Sequence, residues 1–533
     1  MGKESFDDER LLPHRLHTQI MQTNRLFIVG FFSLACTLAA DTNAPVTRPV
    51  TLKECVDLAL RHNLDIQSAR STPEIALFDL RSSYGTYYDP ILTLTARHDK
   101  SSSPSIFNPK TILDTVPYQL DTDLVSGSLT GHLPFGTVYG FSVDSSYNAV
   151  RTAFPSNSIN FLLFPPAGIR NTNNFVANVA ITLQQPLLRD FWIDAARLKI
   201  QISRKNLKIS EQALRAQMID SITFVQLAYY DLVHAREQVK VYRDVINLES
   251  NLLTGIRKRV QAGDLAPLSE KLFESQLEST RANLIGAEQT YAQQQNILNN
   301  LISDDLTTGP QNNPVPTEIL VAVPVKLNRA ESLQRAMQLR PDLQQARIDL
   351  EKKDAVVSYA NNQLYPSLNL IGSYGGIGVA QDRGSASDQA LSINNPVYFY
   401  GAVLSLPLSF TAERNNYKSS KAAKNQAALH RLKLEQTVWV QVDNAMKAAD
   451  GNLQRVESTR LARAYAETAL EVEQKKLEGG RSDAFLLIEL QRQLVLSRSA
   501  ENQVRTDYNK ALINLEHSEG STLEKFGIVI DLQ

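Results

Sequence analysis

Hydrophobic and polar positions change period several times along this chain, and the changes divide it. Between Ala195 and Ala262 there is no proline, and Gly255 is the lone glycine. The run is rich in Leu, Ile, Val, Ala, Gln, Arg and Lys, which predicts one continuous helix. At ~1.5 Å per residue it would be on the order of 100 Å long, the length of a conduit or a strut. It stops at Gln261-Ala262-Gly263-Asp264, and a second helix is predicted over 268–301. The plan then returns: a helix over 412–478, a break at Gly479-Gly480-Arg481-Ser482, and a helix over 483–517.

The return extends to shorter landmarks. His62-Asn63-Leu64-Asp65-Ile66-Gln67-Ser68-Ala69-Arg70 aligns with Leu339-Arg340-Pro341-Asp342-Leu343-Gln344-Gln345-Ala346-Arg347. Further on, both copies reach a tyrosine and a proline, Tyr88-Asp89-Pro90 and Tyr365-Pro366, and each proline opens a strand-like stretch. Gln185-Pro186-Leu187-Leu188 and Leu406-Pro407-Leu408 close the strands ahead of the long helices, a place that suits proline's fixed φ and missing N–H. A proline-rich segment with Pro310, Pro314, Pro316 and Pro324 separates the halves. The expected organisation is therefore residues 41–302 as a first repeat, 303–328 as a linker, 329–517 as a second repeat and 518–533 as a tail.

Between the prolines the period is two. Phe175, Ala177, Val179, Ile181 and Leu183 alternate with Asn178, Thr182 and Gln184; Tyr398, Tyr400, Ala402, Leu404 and Leu406 form another such face. This is the pattern of an outer-membrane strand, apolar to lipid and polar to the lumen, although a half-buried soluble strand shares it. A few strands cannot close a barrel, and an open edge cannot stand in lipid, so several protomers would have to share one.

The interval Pro90–Pro186 is more than twice Pro366–Pro407. Within the excess, Val125, Gly127, Leu129, Gly131 and Leu133 alternate with Ser126, Ser128, Thr130 and His132. After Pro134-Phe135-Gly136, Tyr139, Phe141 and Val143 alternate with Gly140, Ser142 and Asp144. An extra hairpin over about 122–148, flanked by long loops at 101–121 and 150–172, is predicted to add two strands. The competing expectation is a hairpin folded over the barrel mouth.

Composition changes the picture in few places. Net charge is −1 with 21% charged residues, which argues against a nucleic-acid partner. Arg25, the apolar run Leu26–Ala40 and its small-residue end read as a secretory signal over residues 1–40, with Met21 as an alternative start. Of the two cysteines, Cys36 follows Ser33-Leu34-Ala35 and has an alternative reading as a lipidation site; the aliphatic residue usual at Ser33's place is missing. Two cysteines make no disulfide framework. No enzyme, cofactor or metal signal emerges. The eight histidines lack ligand spacing, Asp121 and Asp123 suit a solvated loop, and Gly375-Gly376-Ile377-Gly378 reads as a flexible loop because no helix is predicted after it.

Taken together, the internal repeat, the Tyr-Pro starts, the Gln-Pro-Leu-Leu end and the glycine turns resemble the TolC-type outer-membrane efflux proteins, from about Thr51 to His517. The resemblance implies an α+β membrane protein in which long antiparallel helical hairpins form an α-barrel, joined to a β-barrel shared between the protomers of a homotrimer. It also implies outer-membrane lipid around the β-barrel, a periplasmic adaptor and an inner-membrane transporter that supplies the energy. Gly263-Asp264-Leu265 and Gly480-Arg481-Ser482 match the family's adaptor-docking tips. Beyond the second tip the family often sets two acids one helical turn apart around the pore. Here the first place is taken by Leu486, a departure, and the second by Glu489. The implied function is the passive outer-membrane duct of a tripartite efflux or type I secretion system. The alternative, a secreted periplasmic coiled-coil adaptor, accounts for the hairpins but not for strands between prolines in both halves.

Overall fold

The computed structural model describes residues 46–107, 114–154, 168–304, 312–479 and 481–528. The signal segment, Cys36 and Gly480 lie outside them. Among the described residues no helix is long and apolar enough to cross a membrane.

The chain opens with β1 (Val46–Val50), α1 (Leu52–His62) and α2 (Leu64–Tyr88). Thr51 caps α1 in a reciprocal box with Glu54, and Asn63 Oδ1 caps α2 by accepting from the amides of Asp65 and Ile66. Four strands follow: β2 (Ile91–Phe107), β3 (Asp114–His132), β4 (Val138–Phe154) and β5 (Gly168–Pro186). The first long hairpin is α3 (Ala195–Gln261, 67 residues) and α4 (Pro267–Ile302). β6 (Asn312–Pro316) then pairs in parallel with β1. Prolines are tolerated in this pair because a two-stranded sheet has a free edge on every strand.

The second half runs α5 (Arg329–Leu339), α6 (Pro341–Asn362), β7 (Ser367–Ala380), α7 (Arg383–Leu391) and β8 (Pro396–Ser405). The second long hairpin is α8 (Thr411–Glu478, 68 residues) and α9 (Ala484–Glu519), with a final turn α10 (Thr522–Lys525).

The sheet holds six strands in the order β2-β3-β4-β5-β7-β8, every neighbouring pair antiparallel. The additional hairpin β3–β4 lies within it, hydrogen-bonded on both sides, rather than folded over its end. Two expectations are corrected. The described residues of 101–121 and 150–172, read as loops, are strand (101–107, 114–121, 150–154 and 168–172), because a strand wetted on both faces leaves no alternation in the sequence. The Gly375–Gly378 stretch is also strand, and a helix does follow it. A Cβ on Gly376 or Gly378 would meet the carbonyl oxygens of Ala390 or Ala386 at 2.3 and 1.9 Å, so these glycines are the bed on which α7 lies.

Sheet and helices are locked together at one end. The turn Leu133–Thr137 closes with Gly136 at φ +79, a conformation glycine adopts without steric cost. Arg197 then gathers the parts: Nη1 donates to the Pro134 carbonyl (3.2 Å), Nη2 to the Asp190 carbonyl (2.6 Å), and Nε to Asp194 Oδ2 (2.9 Å). Asp194 also caps α3 and accepts from the Tyr87 hydroxyl of α2 (3.0 Å). The main buried core lies lower, around Tyr229, Ile222, Leu232 and Val225 of α3 packed against α1, Leu298 and Leu320. Cys55 is buried in that core, and burial pushes its thiol up to about 12, which leaves it unreactive.

Candidate functional site

Two features carry chemistry: the outer surface of the sheet, and the tips of the long hairpins. Directly opposed residues of an antiparallel pair share a face, so the register sorts the sheet into rows. One row runs across all six strands: Leu92, Leu129, Phe141, Ile181, Tyr374, Tyr398. Its neighbour on one side is Gly131, Tyr139, Leu183, Gly372, Tyr400, and on the other Leu94, Gly127, Val143, Val179, Gly376, Pro396. The face is apolar and bare: Leu94 is 76% exposed and Tyr400 85%. On the reverse face the rows are Thr93, Ser128, Ser142, Ala180 and Thr95, Ser126, Asp144, Asn178.

The apolar band has sharp limits. On the helix side it ends at Phe135, Trp192 and Tyr365, all exposed. On the other side the first charged row is His98, Asp123, Tyr147, Phe175, followed by Lys100, Asp121, Ala149, Asn173. His98 Nδ1 meets Asp123 at 2.8 Å and Lys100 meets Asp121 at 3.5 Å. These acids are thus paired with bases across the strands, and no group of three or more potential metal ligands occurs among the described residues. At the same level α7 sets Ala386 and Ala390 against Ala177 and turns Arg383, Ser385 and Asp388 outward. From Leu183 to Phe175 the band is on the order of 25 Å along the strand at ~3.4 Å per residue, the height of an outer-membrane barrel's apolar belt.

At the first tip Gly263 has φ +83, with the Gly263 amide donating to the Val260 carbonyl (3.1 Å) and the Asp264 amide to that of Arg259 (2.9 Å). Asp264 is exposed, and Leu265 packs partly into the core between the hairpins. Below the tip, Arg257 joins Glu270 (3.1 Å) and Glu274 (2.7 Å). Lys271 and Arg257 hold the Glu274 carboxyl down to about 2 by hydrogen bonding. A lowered carboxylate pKa supplies stability above its ordinary value, so this link persists at neutral pH and is lost only as pH falls toward about 2.

At the second tip the Arg481 amide donates to the Lys476 carbonyl (2.9 Å), and the Ser482 hydroxyl donates to buried Glu473. Lys476 also pairs with Glu473 at 3.1 Å. Glu473 was missed from the sequence, where nothing distinguishes it from neighbouring surface acids. Glu489 lies two turns into α9, its side chain 53% exposed, with Arg492 at 3.8 Å. Tips and belt are at opposite ends of the long helices, as the element order requires.

A family model described as outer membrane efflux protein matches residues 332–521, which run from within α5 to just past α9. Over that span the chain is similar to the outer membrane efflux proteins. The probable outer membrane lipoprotein SilC of Salmonella typhimurium is 25% identical over 260 residues, 48% of this chain and 54% of that protein, so the match spans about half of that relative. Nodulation protein T of Rhizobium leguminosarum bv. trifolii is 21% identical over 478 residues, covering 88% of this chain and 85% of that protein. The fold of this chain is similar to that of the Campylobacter jejuni CmeC outer membrane channel (TM-score 0.60, 15% identity, 88% and 86% of the two chains). It is likewise similar to the Vibrio cholerae outer membrane protein VceC (TM-score 0.60, 16% identity, 88% and 96%).

The first tip supports one local prediction. In Gly263→Val a β-branched residue must take positive φ, at a cost of about 1–2 kcal/mol or more. Amide exchange at 258–266 should accelerate about tenfold or more while α3 above Val245 keeps its protection. Unchanged exchange at the tip would mean that the turn tolerates a side chain.

Proposed function

We propose that this chain is the outer-membrane duct of an export assembly, with a periplasmic helical extension ending at the two hairpin tips. The observation that carries the reading is the apolar band, six strands wide, ending in aromatics on one side and charges on the other. A periplasmic adaptor has no use for such a face. The sheet ends in open edges at β2 and β8, and unpaired backbone cannot stand in hydrocarbon. Closure by three copies gives an eighteen-stranded barrel, wider than four strands per protomer would allow, since diameter grows with strand number.

The serine-, threonine- and asparagine-rich reverse face would line the lumen. The two halves, each with a β-to-α junction ahead of a long hairpin, support an internal duplication over 41–302 and 329–517 joined by 303–328. The tips Gly263-Asp264-Leu265 and Gly480-Arg481-Ser482 would meet the adaptor, and an inner-membrane transporter would drive transport. SilC is a probable lipoprotein, and acylation at Cys36 is part of this reading.

The charged rows set the outer limit of the membrane at α7, which leaves Gly168–Asn174 of β5 and the facing ends of β2–β4 outside as a wall about 20 Å high. A membrane-impermeant maleimide should label Asn173→Cys in intact cells and label Phe135→Cys only after the outer membrane is permeabilised. Ready labelling of Phe135→Cys from outside would overturn the orientation, and an unreactive Asn173→Cys would overturn the outer limit.

Glu489, three times repeated about a threefold axis, would favour cations at the periplasmic end, with Arg492 tempering the charge. Glu489→Gln should then lower cation over anion permeability at least twofold in planar bilayers. An unchanged reversal potential would take this side chain off the axis.

A further inference from the structure

Near the tips the two hairpins of a protomer meet in one apolar seam. α3 and α4 contribute Leu253, Ile256, Phe273 and Leu277; α8 and α9 contribute Leu470, Leu477, Leu487 and Leu494. Of the polar side chains buried along this seam, two carry polar atoms left unpaired among the described residues. Gln491, 1% exposed, follows Leu487 by one turn and precedes Leu494 by another, so it shares their face. Glu249, also 1% exposed, precedes Leu253 by one turn on α3. The α3–α9 register, fixed by Gln238 Nε2 donating to Ser499 Oγ (2.8 Å), brings Glu249 to within about one turn of Gln491.

Neither side chain is satisfied. Glu249 Oε1 accepts from Gln276 Nε2 (3.2 Å) and Thr280 Oγ1 (3.1 Å), but its Oε2 has no partner among the described residues. Both Gln491 Oε1 and Nε2 are buried without one. Buried polar atoms left unpaired disfavour the packed state that buries them, and apolar residues of similar volume would seal the seam better.

We propose that Glu249 and Gln491 form a built-in weak layer between the hairpins, which sets how readily they part and the periplasmic end of the duct opens. The proposal rests on the duct reading above. The hydrogen-bond partners of Glu249 on α4, Gln276 and Thr280, are uncharged, Gln491 lies on α9, and the charge of Glu473 on α8 is turned to Lys476 and Ser482. Burial accordingly pushes the Glu249 carboxyl above the usual carboxylate range. With the closed-state pKa raised, the closed seam is favoured at low pH. That preference is lost as rising pH charges Glu249 inside the seam.

The test is opening frequency of purified full-length protein in planar bilayers across pH 5 to 8. Gln491→Leu and Glu249→Leu should open at least fivefold less often than wild type with unaltered open-state conductance, and Glu249→Gln should lose the rise in opening with pH. Wild-type frequency and pH dependence in all three, or more frequent opening in the leucine variants, would overturn the proposal and leave the duct standing. A wild type that conducts under no condition would instead sink the duct reading, and the proposal with it. Thermal melting separates a folding fault from a sealed seam: Gln491→Leu should raise the melting temperature, and a lowered one would count against the weak layer.

Discussion

Backbone hydrogen bonding in a solvent that offers none is the constraint behind this structure. Each N–H and C=O inside hydrocarbon must find a partner in protein, so a spanning sheet has to close. One copy of this chain supplies six strands and two bare edges, β2 and β8. On the proposed duct reading, the apolar row from Leu92 to Tyr398 faces lipid, and further copies of the chain would cover those edges. The long helices then follow as continuations of a shared wall. α3 leaves the sheet through a junction fixed by Arg197 and Asp194, and α8 leaves through Phe410, a non-glycine residue held at φ +49.

The same constraint explains where the apolar band stops. A polar helix such as α7 cannot lie against lipid, so in the proposed duct its docking on Gly376 and Gly378 would mark the level at which the sheet leaves the membrane. The His98–Asp123 and Lys100–Asp121 pairs mark that level on the other strands. Beyond it the strands are wet on both faces, and they persist because β2 to β5 still pair with one another.

Much of this was legible in the sequence, and the exceptions have physical causes. Long helices reveal themselves by an absence of breakers and by the glycines that end them, Gly263 and Gly479. The membrane part of the extra hairpin reveals itself by the alternation from Val125 to Val143, since lipid and lumen impose opposite chemistry on successive residues. Outside the membrane that contrast vanishes, and Ser101-Ser102-Ser103 reads as loop although it is strand. β6 was hidden because Pro314 and Pro316 speak against a strand, and only pairing with Val46–Val50 makes one. α7 is short and built from Gly, Ser and Ala, with no periodicity of its own. At the candidate sites the turn at Gly263 was legible from turn chemistry. Glu473, Glu249 and Gln491 were not, because a polar residue on a long helix is ordinary until its burial is seen.

The central claim is that three copies share one barrel in the outer membrane. It is tested most directly by extracting the full-length protein from fractionated membranes and measuring the mass of the undissociated complex by native mass spectrometry. The account predicts a complex of three chains from the outer-membrane fraction that falls to single chains on heating in detergent. A monomer in the soluble periplasmic fraction, or any stoichiometry other than three, would contradict it.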